Sequence, residues 1–253
     1  NNRVAIDYNG LSPHLVHALV ATEDERFYEH SGVDFIALGR AVVKRGVMGQ
    51  ASAGGGSTIT QQLAKQLFSE KAHSTVERLL QKPIEWIIAV KLERYFTKEE
   101  ILAMYFNYFD FLHNAVGIKR AANVYFNKEP RKLTVTESAM LVGLCKNPSM
   151  FNPLRHPERC LQRRNVVLMQ MVKSGYVTKD EYKELSQRPL GLHFTRSKPV
   201  SGAGDYFQAF LRQYMMAKKP ERENYQSWQN RQFVLDSIAW EQDPLYGWCN
   251  KNT

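Results

Sequence analysis

The chain has 253 residues, 43% of them hydrophobic, and a formal charge of +9. That is enough apolar material for a folded core and it excludes a disordered or low-complexity chain, while the charge calls for an anionic partner: nucleic acid, an acidic membrane surface or a diphosphate. Zinc-finger spacing, RNP-type aromatics and a long basic helix are absent, which disfavours nucleic acid, and three cysteines (Cys145, Cys160, Cys249) make no disulfide framework.

Along the chain, Ser12 as N-cap and Pro13 at the first helical position start a helix with an apolar stripe of Leu15, Val16, Leu19 and Val20. The helix runs directly into Glu23. Residues 33 to 48 form a basic amphipathic segment, with Phe35, Ile36, Leu38, Val42, Val43, Val47 and Met48 set against Arg40, Lys44 and Arg45. Its composition alone fits an ordinary surface helix packed on the core.

A helix beginning near Ser57 repeats Ile59, Leu63 and Leu67 on one side and Ser57, Gln61 and Lys65 on another, so one face packs and the other presents polar groups. Residues 83 to 92 are apolar enough to be nearly encircled by protein, which makes the charges of Lys82 and Glu85 conspicuous. Capping boxes at Thr97/Glu100, Thr134/Glu137 and Thr178/Glu181 start three further helices. Period-2 alternation is scarce, so the chain reads as mainly α, with any sheet small and peripheral. After Gly175 the stretch carrying Pro189, Gly191, Pro199, Gly202 and Gly204 places a boundary near residue 190. A helical segment follows around Tyr206 to Ala217, and Pro244 to Asn250 reads as linker. No run approaches the roughly 18 apolar residues of a membrane span.

Two blocks carry the chemistry. Glu23-Asp24-Glu25-Arg26-Phe27-Tyr28-Glu29-His30-Ser31-Gly32 sets carboxylates beside an apolar ring and an imidazole, an environment that tunes a carboxylate for general-base work. Gly55-Gly56-Ser57-Thr58-Ile59-Thr60-Gln61-Gln62 turns a glycine-rich stretch into a helix whose start offers backbone N–H groups to phosphate. Lys82 and Glu85, three apart, pair across one turn.

With Lys82-x-x-Glu85, these blocks resemble the signature motifs of the peptidoglycan glycosyltransferase domain (glycosyltransferase family 51) of class A penicillin-binding proteins, from about Leu11 to Met171. Glu99 to Asn107 and Gly117 to Phe126 match a fourth family region. Glu137 to Leu141, Lys146 to Ser149, Asn152-Pro153 and Arg163-Arg164-Asn165-x-x-Leu168 match a mainly structural fifth. Gln81 stands where the family usually has arginine, with Arg78 one turn earlier as a substitute, and the 62-residue separation of the two glutamates (85 − 23) places extra length around Ser69 to Thr75.

The resemblance implies a lysozyme-like, predominantly α domain over 1–190, with a small membrane-associated subdomain around residues 33 to 48. Residues 191–253 become a linker region leading to a downstream, transpeptidase-type domain. It implies an inverting polymerase of lipid II that makes β-1,4-linked glycan and releases undecaprenyl diphosphate. Glu23 is the expected base and Glu85 the second glutamate, which holds Lys82 or another cation near the leaving group or helps bind a divalent ion (magnesium or manganese). Asp24, Phe27, His30, Gly56, Ser57, Thr58, Gln61, Gln62, Lys65 and Lys82 are the expected substrate-binding residues; a purely structural histidine is the stronger reading of His30. Expected partners are lipid II, the growing strand, the membrane surface, moenomycin-type inhibitors and other cell-wall synthesis proteins, with no nucleic acid. The expected location is the extracytoplasmic face of the cytoplasmic membrane, below an N-terminal anchor. The rivals are a glycan-cleaving enzyme of lysozyme-like fold and a non-catalytic domain that binds the lipid-linked precursor.

Overall fold

The computed structural model describes residues 4–46, 56–68, 75–195 and 203–251. It divides into two compact units, Asn1–Ser197 and Lys198–Thr253. Among the described residues, the only β pairing is an isolated bridge between Asp110 and Val116.

The first unit holds nine helices among its described residues. α1 (Pro13–Glu23) buries Leu15, Val16, Ala18, Leu19, Val20 and Ala21. Ser12 occupies the N-cap position, but its hydroxyl is not the cap: it donates to the Leu133 carbonyl at 3.0 Å, fastening the start of α1 to a segment 121 residues away. α2 (Phe35–Gly46) begins at Asp34, whose carboxylate accepts from the backbone N–H of Ile36 and Ala37. Two hydroxyls stand side by side before α3 (Ile59–Phe68), and Thr58 caps it, accepting from the Gln61 N–H at 3.1 Å.

α4 (Thr75–Tyr95) corrects the expectation of a nearly encircled helix. Glu85, Ala89 and Leu92 are buried, but Ile84 and Ile87 are 57% and 59% exposed, because an almost continuous apolar run does not reveal which side faces the core. α5 (Lys98–Tyr108), α7 (Val135–Lys146) and α9 (Lys179–Gln187) each start with the expected capping box. Between them lie α6 (Ile118–Phe126) and α8 (Pro157–Lys173). α7 is buried from Glu137 through Leu144, and α1 packs against both α7 and α8. Buried apolar side chains from α1, α3, α5, α6, α7 and α8 make one core; at ~25 cal/mol per Å² of apolar area removed from water it is the main support of the unit.

The first unit runs past residue 190 because the chain there remains attached. His193 and Thr195 donate their N–H groups to the Tyr125 and Val124 carbonyls at 2.9 Å, and Leu190, Leu192 and Phe194 pack on the core. The second unit contains α10 (Ala203–Met215), α11 (Asn230–Gln242) and α12 (Trp248–Lys251). The Tyr214 hydroxyl donates to Asp243 at 2.5 Å and the Tyr225 hydroxyl to Asp236 at 2.8 Å.

Candidate active site

Glu23 ends α1 and Asp24 is its C-cap, so the two carboxylates leave a rigid helix from adjacent positions. Both reach α3. The Gln62 amide donates to Glu23 Oε2 at 3.0 Å, and the Arg163 guanidinium stands 3.5 Å from Oε1. Behind Gln62, the Tyr105 hydroxyl donates to its amide oxygen at 3.1 Å, which turns the NH2 group toward the carboxylate.

The back of this site stays neutral. Burial holds the Tyr105 hydroxyl pKa well above the usual phenol range, with Cys145 and the Glu23 charge adding to it. The Cys145 thiol is also pushed up, first by burial and then by Glu23. Burial pulls the Arg163 pKa down, opposed by Glu23 and Cys145. Tyr105 therefore acts as a fixed donor, and the charges beside the carboxylate come from Arg163 alone among these three side chains.

Asp24 is fully engaged. Its oxygens lie 3.0 and 3.1 Å from His30 Nε2, and Oδ2 also accepts the Ile59 N–H at 3.0 Å. His30 Nδ1 accepts the Gly32 N–H at 3.2 Å, which places the imidazole proton on Nε2 and leaves neither nitrogen free. Phe27 is wholly buried, edge-on to Tyr28 and His30, with the Lys98 ammonium 4.3 Å above its ring. Lys98 also donates to the His30 carbonyl and pairs with Glu93 at 2.7 Å, and Glu93 accepts the Thr60 hydroxyl at 2.6 Å.

Two of the N–H groups at the start of α3, expected to be offered to phosphate, are already engaged within the chain. The Ile59 N–H is held by Asp24 and the Gln61 N–H by Thr58, so a carboxylate of the chain already occupies the positive helix end. A side-chain cation stands beside the same segment. Lys82 Nζ lies 2.7 Å from Glu85 Oε2 and 3.4 Å from the Ser57 hydroxyl; Glu85 is buried and Lys82 is 44% exposed.

Of the remaining expected residues, Gly56 and Ser57 are half-buried and Lys65 is exposed. Thr58 donates to the Gly32 carbonyl at 2.6 Å. Gln61 faces inward, contrary to the expected polar face, and both ends of its amide lack a partner among the described residues. The Arg78 side chain and residues 69–74 lie outside the described residues. No group of three or more His, Cys, Asp or Glu side chains among the described residues is arranged to hold a metal ion, and Lys82 engages one Glu85 oxygen. The residues present therefore do not build a divalent-ion site of their own.

Reading the sequence missed Arg163, Tyr105, Glu93 and Lys98 as parts of this centre. Arg163 lay in the region taken as structural, and only its neighbour Arg164 bears that reading out, making hydrogen bonds to the carbonyls of Leu185, Ser186, Arg188 and Pro189. Glu93 and Lys98 carried one signal in hindsight, an acid and a base on either side of the junction Arg94-Tyr95-Phe96-Thr97 between two helices.

Residues 1–172 match the transglycosylase family. The chain is 40% identical over 220 residues to penicillin-binding protein 1A of Aquifex aeolicus, covering 87% of this chain and 29% of that protein. It is 38% identical to penicillin-binding protein 1F of Bacillus subtilis, covering 84% and 29%. It is also 38% identical to penicillin-binding protein 1A of Escherichia coli, covering 84% and 24%. The chain belongs to the transglycosylase family, the glycosyltransferase domain of class A penicillin-binding proteins. It spans under a third of the length of these curated relatives. The crystal structure of penicillin-binding protein 1A from Haemophilus influenzae overlaps 66% of this chain and 21% of its own, at 26% identity and a TM-score of 0.39, a fit too loose to add to the helices described above.

Proposed function

We propose that this domain is a peptidoglycan glycosyltransferase that polymerises lipid II into β-1,4-linked strands with release of undecaprenyl diphosphate. One observation carries the reading. A single short segment, Ser57 to Gln62, engages the candidate base at one end, through Gln62 on Glu23, and the candidate cation at the other, through Ser57 on Lys82.

In this reading Glu23 removes the proton from the acceptor hydroxyl as it attacks the anomeric carbon of the lipid-linked chain. Lys82, held by Glu85 and joined by Ser57 and Lys65, receives the diphosphate; a moenomycin-type phosphoglycolipid would meet the same groups. Asp24, His30 and Phe27 support the base from behind, while Gly56, Thr58, Gln61 and Gln62 shape the segment that faces the sugar.

The proposal also keeps the remaining expectations from the sequence. A catalytic domain over 1–190, onto whose core residues 192–195 still pack, is followed by a connecting region over 191–253, and the domain works at the outer face of the cytoplasmic membrane. No helix among the described residues is long and apolar enough to cross a membrane; exposed side chains of α2, such as Phe35 at 70%, are available for contact with lipid.

The test is incubation of the chain with lipid II and separation of products on a gel. The parent yields a polymer ladder, and Glu23→Gln, a near-isosteric amide that cannot take the proton, yields none while keeping its circular dichroism and melting temperature. Ladder formation by folded Glu23→Gln would remove Glu23 from the base role. Cleavage of added glycan, or no reaction by the parent, would favour the lysozyme-like or the non-catalytic alternative.

A further inference from the structure

We infer that Arg163 is a positioning residue for the base: its guanidinium steers one oxygen of Glu23 while Gln62 holds the other, fixing the plane of the carboxylate toward the acceptor hydroxyl. This rests on the glycosyl-transfer reading with Glu23 as base.

Adjacent arginines on α8 point about 100° apart, and these two have opposite circumstances. Arg164 is saturated with carbonyl acceptors. Arg163 is not. Its side chain is 10% exposed, its one ion-pair partner among the described residues is Glu23 at 3.5 Å, and its Nε is buried without a hydrogen-bond partner.

A structural arginine–carboxylate pair closes to about 2.7–2.9 Å, often with two parallel bonds, because a buried cation left half-satisfied is destabilising. The arrangement around Arg163 forgoes that closure, yet the fold makes room for it. Its stem crosses Gly143 of α7, where a Cβ would sit 3.2 Å from Arg163 Cγ, and its guanidinium carbon lies 5.9 Å from the Phe151 ring. A cation kept under-paired beside the base is a departure from good local packing of the kind that marks a working site.

The geometry explains its use. Gln62 alone is a neutral donor to one oxygen and leaves the carboxylate free to swing about its terminal torsion. A cation 3.5 Å from the other oxygen restrains that freedom. Burial keeps the neighbouring Tyr105 and Cys145 neutral, so neither adds a charge beside the carboxylate. Misplacing a reacting group by about 1 Å costs on the order of 100-fold in rate, so the effect falls on turnover and not on substrate affinity.

The test measures kcat and KM for lipid II, with thermal melts, for the parent and for Arg163→Gln, Arg163→Lys and Glu23→Gln. Arg163→Gln is expected to lower kcat about 10- to 100-fold with KM within about twofold, and Arg163→Lys, which restores the charge without the fork, to recover part of the loss. If Arg163→Gln does not fold, Arg163→Lys decides, with a lowered kcat at unchanged KM supporting the assignment. Parental kcat in a folded Arg163→Gln, a loss confined to KM, or Arg163→Lys no better than Arg163→Gln overturns it. Glu23→Gln separates the two ideas: an inactive Glu23→Gln beside a fully active Arg163→Gln sinks this inference alone, whereas an active Glu23→Gln sinks the reading it rests on.

Discussion

Replacing Arg164 by methionine keeps most of the stem and removes the guanidinium, and it should destabilise the first unit without touching its chemistry. Arg164 is 1% exposed and donates from one terminal nitrogen to Arg188 and Pro189 and from the other to Ser186, Leu185 and Asn165, the shortest of these contacts being 2.7 Å. Four of the acceptors are carbonyls in the last turn of α9 and just after it, Leu185's also taking the Arg188 N–H at 3.3 Å, and the cation sits at the negative end of the helix. Four charge-assisted bonds at about 1.5–3 kcal/mol each would sum to roughly 6–12 kcal/mol. That sum is too large, because Arg188 and Pro189 are surface residues whose carbonyls water can reach once the side chain is gone. We expect a loss of about 3 kcal/mol, near the lower edge for breaking a buried charged contact. For a unit of this size that corresponds to a fall of roughly 6–12 °C in melting temperature. Urea denaturation followed by circular dichroism gives the free energy, and polymerisation per folded molecule, measured well below the transition, gives the activity. A change under about 1 kcal/mol, or a folded variant with strongly reduced kcat, would refute the division of labour between Arg163 and Arg164.

Gly32→Ala should prevent correct folding, since the residue has φ +96° and a Cβ would lie 2.7 Å from the Ala89 backbone carbon; soluble expression with a parental urea midpoint would contradict this. His17 lies parallel to Tyr176 at 4.1 Å, and burial, then His14, lowers its pKa below 6.5. Its contribution to stability is therefore present above about pH 6.5 and is lost as pH falls through the lower folded value. His17→Phe should flatten that part of the pH–stability curve, and an unchanged curve would exclude His17 as its source. Replacing Phe35, Ile36 and Val43, all exposed on α2, by serine should weaken flotation with anionic liposomes. Equal flotation of the parent and the folded triple variant would return α2 to an ordinary surface helix; Val47 and Met48, also expected to contribute, lie outside the described residues.

What was legible in the sequence was local. The three capping boxes form within four residues and appear as expected. The start of α3 shows the limit, since two adjacent hydroxyls look alike in sequence and only the approach of Gly32 selects Thr58 over Ser57. The Asp24–Ile59 and Glu23–Gln62 contacts join residues 35 and 39 positions apart, and no periodicity encodes them. The base and its neighbours were found through the resemblance of their motif, whereas Arg163 was hidden beside an arginine of identical chemistry. Residues 193 to 195 looked like part of a boundary because their attachment to α6 uses backbone groups, which leave no trace in residue type.

Two consecutive residues, Glu23 and Asp24, grip the same helix, one at the Gln62 side chain and the other at the Ile59 N–H, and Thr60 between those points is tied to Glu93 of α4. The base therefore has little freedom to advance or retreat during a reaction cycle. In a polymerase that lengthens a strand by repeated additions, something must shift after each bond is made. Under the proposed function, a carboxylate fixed to three helices leaves the strand as the part that travels.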